Sequence, residues 1–286
     1  MNSKSHYRGL LFDVILFFLF GIIIWAINIL AQSIFPGNNQ FPLLIRSIIL
    51  LFNLGLCYYL NYRLSRKNLL TVNTLKFKPE LIKYYFGGIV LGCLLIATIW
   101  ATIYLVYPFK IINNALSKLN LAADIISYTL GNTLEELLFR GFLLVASVKI
   151  LGKTGAVLFV SLLFGLFHLQ GTGLTVQGLS MVITTFTMSL LFISVIYYTN
   201  SIWTAVTLHI TGNLLLHTLG FDGTNNGLFQ IRFFASNING HFITLIYEIV
   251  VIAFALVIFI KRKKQIQTTA NGWIAIWRLY VLSRCF

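Results

Sequence analysis

The segment 131–141, GNTLEELLFRG, places two adjacent glutamates, Glu135 and Glu136, and one arginine, Arg140, inside a long apolar stretch. The whole chain holds only seven acidic residues, so two neighbours in such surroundings require an explanation. A charged side chain in the middle of a bilayer costs about 3 kcal/mol even on lenient insertion scales, unless it faces a partner or a polar cavity. We interpret this segment as part of an active site inside a membrane.

Helical spacing separates the two glutamates. Glu136 and Arg140 are four residues apart and share a helix face, so their pairing would offset both charges. Glu135 points about 100° away from Glu136 and is the free carboxylate of the two. A purely structural network of all three side chains is the alternative, but a single glutamate would suffice to neutralise Arg140.

Two later segments supply imidazoles and an amide. Phe164 and His168 are four residues apart in FGLFHL, and HITGN gives His209 and Asn213 the same spacing. Each pair alone is equally well explained by polar contacts between helices. Combined with Glu135, they form a set suited to hydrolysis, because a carboxylate and an imidazole activate water. Imidazole and amide N–H groups also suit a developing oxyanion.

Zinc is a second route to the same chemistry. Glu135, His168 and His209 are residue types that ligate zinc, which would acidify the water directly. The residue types do not distinguish this route from the metal-free one. In either case we expect Glu135, His168, His209 and Asn213 to converge on one water-filled cavity.

The composition describes the surroundings of these residues. The chain has 286 residues, of which 58% are hydrophobic and 10% charged, and its mean hydropathy is +0.87. Soluble domains average about 25% charged residues, so we predict an all-α, polytopic membrane bundle. The net charge of +14 comes from basic residues at the ends of apolar runs. These residues indicate topology and headgroup contacts and give no reason to expect nucleic acid as a partner.

Apolar runs of about 20 residues predict about eight transmembrane helices. Basic clusters fall on alternate connections, so both termini are predicted to be cytoplasmic. A short amphipathic connector is expected at 109–120, a polar loop at 220–240, and a break at Gly152 and Lys153. The predicted helices span residues 10–35, 41–62, 84–107, 122–150, 155–169, 174–198, 202–219 and 241–260.

Four regions follow from this pattern. Residues 1–120 hold the N-terminal helices and the connector, and residues 121–220 hold the catalytic core. Residues 221–264 form the last loop and the last transmembrane helix, which is predicted to end at a basic cluster. Residues 265–286 form a tail that is predicted to be an interfacial amphipathic helix.

Three motifs together resemble the CAAX prenyl protease and bacteriocin-processing family of intramembrane endopeptidases, also called abortive-infection-like. The motifs are EELLFRG at 135–141, FGLFH at 164–168 and HITGN at 209–213, each in a different predicted helix. The resemblance covers roughly residues 122–220, and the first three helices are similar only in hydropathy.

The resemblance implies roles for the motif residues. Glu135 is implied to be the base that activates water, with His168 helping to hold that water. His209 and Asn213 are implied to be the oxyanion donors. The family has been described both as metal-dependent and as glutamate-dependent, which leaves zinc open as a cofactor. The other motif residues are implied to support the site: Glu136, Arg140 and Phe164.

The implied activity is cleavage near the end of a membrane-associated or prenylated peptide or protein. The many Asn, Ile, Lys and Phe residues indicate an AT-rich coding sequence, which favours a multi-pass protein of a bacterial cell membrane. Two alternatives use the same residues differently. A non-catalytic bacteriocin-immunity protein could share the fold, although the intact motif residues favour an enzyme. A transporter could use the charges as a proton relay, but the chain has no repeated half.

Overall fold

The computed structural model describes a defined part of the chain. Most of the predicted helices 10–35 and 41–62 and most of the basic loop 63–83 fall outside it, as do the side chains beyond Arg262 and the last residues of the tail. The described residues are Phe12, Ile15, Leu19, Ile48, 51–55, Tyr59, 81–114, 121–171, 173–220, 227–235 and 240–282.

The described part is mostly helical, as the composition predicts, although the count of about eight helices is not confirmed. Two short strands, one after the first described long helix and one before the last helix, pair as an antiparallel β-ribbon. In chain order the elements are α1 (Ile82–Val106), β1 (Phe109–Asn113), α2 (Leu121–Glu136), a π-helical turn (Leu137–Leu143), α3 (Leu144–Phe167), a 3₁₀ turn (His168–Gly171), α4 (Val176–Thr199), α5 (Ile202–Thr218), β2 (Phe229–Phe233) and α6 (Gly240–Leu282).

Four segments in the described part are long and apolar enough to cross a membrane: Ile82–Val106, Ile150–Phe167, Val176–Thr199 and Gly240–Arg262. The protein is therefore an integral membrane protein. Helices α2 and α5, which carry most of the candidate site residues, are not among the four. The reason lies in their length and composition, since α2 has 16 residues with three carboxylates and α5 has 17 residues.

Gly152 divides α3 into two arms. Its φ of 69° and ψ of 176° are not helical, and a positive φ is a conformation that glycine adopts at little cost. The chain reverses direction at Gly152, because the ring of Phe139, in the π-helical turn before α3, lies 5.1 Å from that of Phe164 near the end of α3. Glu135 precedes Gly152 by nearly as many residues as His168 follows it. The hairpin therefore brings these two side chains to the same depth.

The ribbon corrects two sequence predictions. The expected connector 109–120 begins with β1, and the expected polar loop 220–240 contains β2. The strands pair antiparallel, with Phe109 opposite Phe233 and Ile111 opposite Ile231. Aromatic and β-branched residues favour a pleated, half-buried surface. Phe109, Ile231 and Phe233 pack on the bundle, whereas Ile111 on the same face is 45% exposed.

The last helix also differs from its prediction. It was expected to end at the basic cluster 261–264, but α6 continues to Leu282. Lysine, arginine and glutamine are strong helix formers, so a charged cluster ends the apolar span without ending the helix. The tail 265–286 therefore continues α6 as far as Leu282, and its location at the membrane interface stays a prediction.

Helices α1 and α5 approach each other closely through two glycines of α1. A Cβ atom added to Gly92 would lie 2.9 Å from the Cβ of Thr211. One added to Gly88 would collide with the Thr207 hydroxyl and the Thr204 carbonyl oxygen. Small residues four apart allow membrane helices to pack backbone to backbone, and this contact fixes the position of α5.

We expect Gly88→Ala to destabilise the protein by about 1–3 kcal/mol, because the added methyl overpacks the contact between α1 and α5. Thermal unfolding in detergent measures the loss. Gly87→Ala is the matched control, since a Cβ at Gly87 meets nothing within 4 Å. Equal unfolding temperatures for the two variants would contradict the packing described here.

Candidate active site

The site is centred on the carboxylate of Glu135, in the last turn of α2. Its Oε2 lies 4.0 Å from Nε2 of His168, at the start of the 3₁₀ turn, and 3.9 Å from Nε2 of His209, in the middle of α5. Three elements that are distant in sequence therefore bring one carboxylate and two imidazoles together.

Hydrogen bonds fix the orientation of both rings. Nδ1 of His168 donates to the carbonyl oxygen of Phe164 over 2.8 Å. Nδ1 of His209 donates to Oε1 of Glu136 over 3.0 Å. Carbonyl and carboxylate oxygens only accept, so each ring carries a proton on Nδ1 and turns Nε2 towards Glu135.

Glu136 and Arg140 form a fully buried ion pair behind the imidazole of His209. Nη1 of Arg140 lies 3.0 Å from Oε1 of Glu136, and both side chains are 0% exposed. The guanidinium carbon also lies 4.0 Å from the ring centre of Phe164 and 5.0 Å from that of Phe192. Aromatic faces attract cations, and the attraction strengthens without water, so they help to compensate the burial of Arg140.

Exposure separates the two glutamates more clearly than spacing does. The side chain of Glu135 is 23% exposed and that of His168 is 25% exposed, whereas Glu136 is fully enclosed. His209 lies between these extremes at 6%. A reactant can therefore reach Glu135 and His168, while Glu136 can act only through His209 and Arg140.

Asn213 lies one helical turn after His209 and is held by a residue that the sequence predictions missed. Its Nδ2 donates to Oδ1 of Asn132 over 3.3 Å. Asn132 is buried, and its own Nδ2 has no hydrogen-bond partner in the described part of the chain. The missed signal was spacing, because Asn132 precedes Glu136 by four residues and so shares its face of α2.

A third polar contact continues the same seam between α2 and α5. Oδ2 of Asp124 lies 3.7 Å from Nε2 of His217, near the start of α2 and the end of α5. The paired residues are one turn apart along α5, and two turns and then one turn apart along α2, in the opposite chain direction. From the helix ends inward they are Asp124 with His217, Asn132 with Asn213, and Glu136 with His209.

The π-helical turn Leu137–Leu143 directly follows the glutamates and was not predicted. A π turn widens the helix by one residue and commonly occurs at functional sites. Five of its side chains are buried, including those of Arg140, Phe139 and Phe142. The turn therefore holds Arg140 inside the bundle.

A metal ion fits these residues poorly as they are arranged. Glu135, His168 and His209 offer suitable donor types, and each imidazole has the oriented Nδ1 that metal-binding histidines usually show. However, no group of three or more His, Cys, Asp or Glu side chains within the described residues could hold a metal ion. The Oε2–Nε2 separations of 4.0 and 3.9 Å are also wide for ligands about 2 Å from zinc.

The fold and site define a helical membrane protein with a carboxylate–imidazole centre. Glu136 and Arg140 are enclosed behind this centre, whereas Glu135 and His168 are partly exposed. Residues 118–215 match the family model for the type II CAAX prenyl endopeptidase Rce1-like family, which confirms the resemblance over about a third of the chain. The matched segment contains every motif residue. No curated protein and no solved structure matches the chain.

Proposed function

We propose that this protein is an intramembrane endopeptidase in which Glu135 activates water to hydrolyse a peptide bond. The observation that carries the proposal is the placement of a reachable carboxylate against two oriented imidazoles in a membrane protein. Water is scarce in hydrocarbon, so a site with a base and polar donors suits a reaction that needs water among apolar substrates. The family match supports the same activity.

In the first step, water bound between Glu135 and His168 loses one proton to the Glu135 carboxylate. The water oxygen bonds to the carbonyl carbon, and the π electrons of the carbonyl move to its oxygen. A positioned base of this kind contributes about 10²–10⁴-fold to a rate. The second O–H of the water stays intact and donates a hydrogen bond to Nε2 of His168, whose Nδ1 proton already bonds the carbonyl oxygen of Phe164.

The oxyanion then needs donors. Asn213 offers an amide N–H, and His209 donates from Nε2 when its ring carries a second proton, with Glu136 accepting from Nδ1. Donors of this kind are each worth about 3 kcal/mol in the transition state. When the tetrahedral intermediate collapses, the C–N bond breaks and Glu135 returns its proton to the leaving nitrogen.

We infer a substrate that is itself held in the membrane, such as a lipidated or prenylated peptide cleaved near its end. The test is a cleavage assay on purified protein in lipid nanodiscs, with prenylated and unprenylated versions of one membrane peptide. Mass spectrometry of the products identifies the cleaved bond. Preferential cleavage of the prenylated peptide is expected, and the absence of any cleavage product would overturn the proposal.

Metal removal gives a separate prediction. Because the donor arrangement fits zinc poorly, the cleavage rate should be unchanged after dialysis against a chelator. Adding zinc should not raise it. A rate that falls with the chelator and returns with zinc would instead assign Glu135, His168 and His209 as metal ligands.

Asn132 is expected to act through Asn213. Asn132→Leu removes the acceptor without a large change in volume, and we expect kcat to fall about tenfold, the upper range for one hydrogen bond. Thr133→Val is the control, since the Thr133 hydroxyl donates only to Thr129 in its own helix. In the background of Asn213→Leu the Asn132 substitution should have no further effect, and additive losses would refute the link.

A further inference from the structure

The ribbon places two cations directly opposite each other. Lys110 of β1 pairs in register with Arg232 of β2, and both side chains are exposed. Residues directly opposite in an antiparallel pair have Cβ atoms about 5 Å apart, and like charges at that distance destabilise a sheet. The pair therefore costs stability, which an anion bound between the two side chains would offset.

No carboxylate in the described part of the chain serves as that anion. Asp124 lies against His217, and Glu135 faces the two imidazoles of the candidate site. Glu136 pairs with Arg140. Glu248 accepts a hydrogen bond from the Thr184 hydroxyl.

The position of the ribbon identifies the source of the anion. Strand β1 begins three residues after Val106, where an apolar span ends, and α6 begins a second span at Gly240. The inner face packs on the bundle through Phe109 and Phe233, so the cations point away from it. The ribbon therefore lies at the level where an apolar span meets the headgroups of the bilayer.

Exposed apolar side chains beside the ribbon support a lipid in preference to a free anion. Leu105 is 82% exposed and Phe234 is 68% exposed, and both lie at the end of the ribbon where Phe109 pairs with Phe233. In a membrane such side chains contact acyl chains, while the cations reach the headgroups. A guanidinium binds phosphate through two parallel N–H bonds, and an ammonium adds a point charge.

We propose that Lys110 and Arg232 form a binding site for the phosphate of an anionic phospholipid, and that the ribbon anchors this end of the bundle in the headgroup layer. The site is independent of the proposed peptidase activity. It involves no residue of the candidate active site.

The experiment counts lipids retained by the purified full-length protein in native mass spectrometry. The probes are phosphatidylglycerol, phosphatidylcholine and inorganic phosphate, and the variant is Lys110→Gln with Arg232→Gln. We expect about tenfold weaker retention of phosphatidylglycerol in this variant and no change for phosphatidylcholine. The two single substitutions should each give part of the loss, and they provide the test if the double variant does not accumulate.

The control variant carries Lys83→Gln with Lys153→Gln, which removes the same charge from exposed lysines near the starts of the spans Ile82–Val106 and Ile150–Phe167. It should retain phosphatidylglycerol as the unmodified protein does. Equal losses in both double variants would overturn the proposal, because they would indicate a general effect of net charge. Unchanged retention in the ribbon variant, or equally strong binding of inorganic phosphate, would also overturn it.

Discussion

Glu135→Gln is expected to lower the rate of peptide cleavage by about a thousandfold while leaving the protein folded. The substitution keeps the size of the side chain but removes the base, whose contribution is about 10²–10⁴-fold. Folding should be unaffected because Glu135 is 23% exposed and makes no ion pair with Arg140 in the described structure. The measurement is kcat on one prenylated peptide, together with the unfolding temperature.

A loss of stability in Glu135→Gln would change how its loss of cleavage activity is interpreted. If Glu135→Gln unfolded at a clearly lower temperature, lost activity would reflect lost structure. If the variant were folded and fully active, Glu135 would not be the base. Full biological activity of both Glu135→Gln and His209→Ala in cells would favour the non-catalytic bacteriocin-immunity alternative.

Glu136→Gln is expected to destabilise the protein by about 3–5 kcal/mol. The change leaves the buried guanidinium of Arg140 without its counter-charge, and an unpaired buried charge carries a penalty of that size. The amide oxygen of the new side chain would still accept from Nδ1 of His209, so orientation of the ring should be partly retained. Low yield and early unfolding in detergent are the expected observations.

The double variant Glu136→Gln with Arg140→Met tests this cause. Removing the cation as well should recover much of the lost stability, because the remaining groups are neutral and methionine fills a similar volume between Phe164 and Phe192. If the double variant were as unstable as Glu136→Gln alone, the loss would come from something other than the unpaired charge.

The sequence predicted the local pairing of side chains in the candidate site better than the architecture around it. Spacing of four residues was sufficient to pair Glu136 with Arg140 and to leave Glu135 separate, because such pairs are local to one helix. The convergence of His168 and His209 on Glu135 depends on the reversal at Gly152 and on the packing of α5 against α1. The glycines that allow these contacts are visible in the sequence, but their partners in space are not.

Other features were missed for identifiable reasons. The ribbon joins β1 and β2 across more than a hundred residues, and five-residue strands give little periodicity to read. The π turn has no sequence signature that separates it from an α-helix. Asn132 was overlooked because its distinguishing feature is its hydrogen bond with Asn213, and that contact between distant residues cannot be read from the sequence.

Cleavage of a prenylated membrane peptide in water enriched in ¹⁸O tests the central claim most directly. If this site activates water for amide hydrolysis, the unmodified protein should release a fragment whose new terminal carboxyl carries one ¹⁸O atom, and Glu135→Gln should release almost none in the same time. Unlabelled products, or labelled products formed equally fast by Glu135→Gln, would contradict hydrolysis by water activated at Glu135.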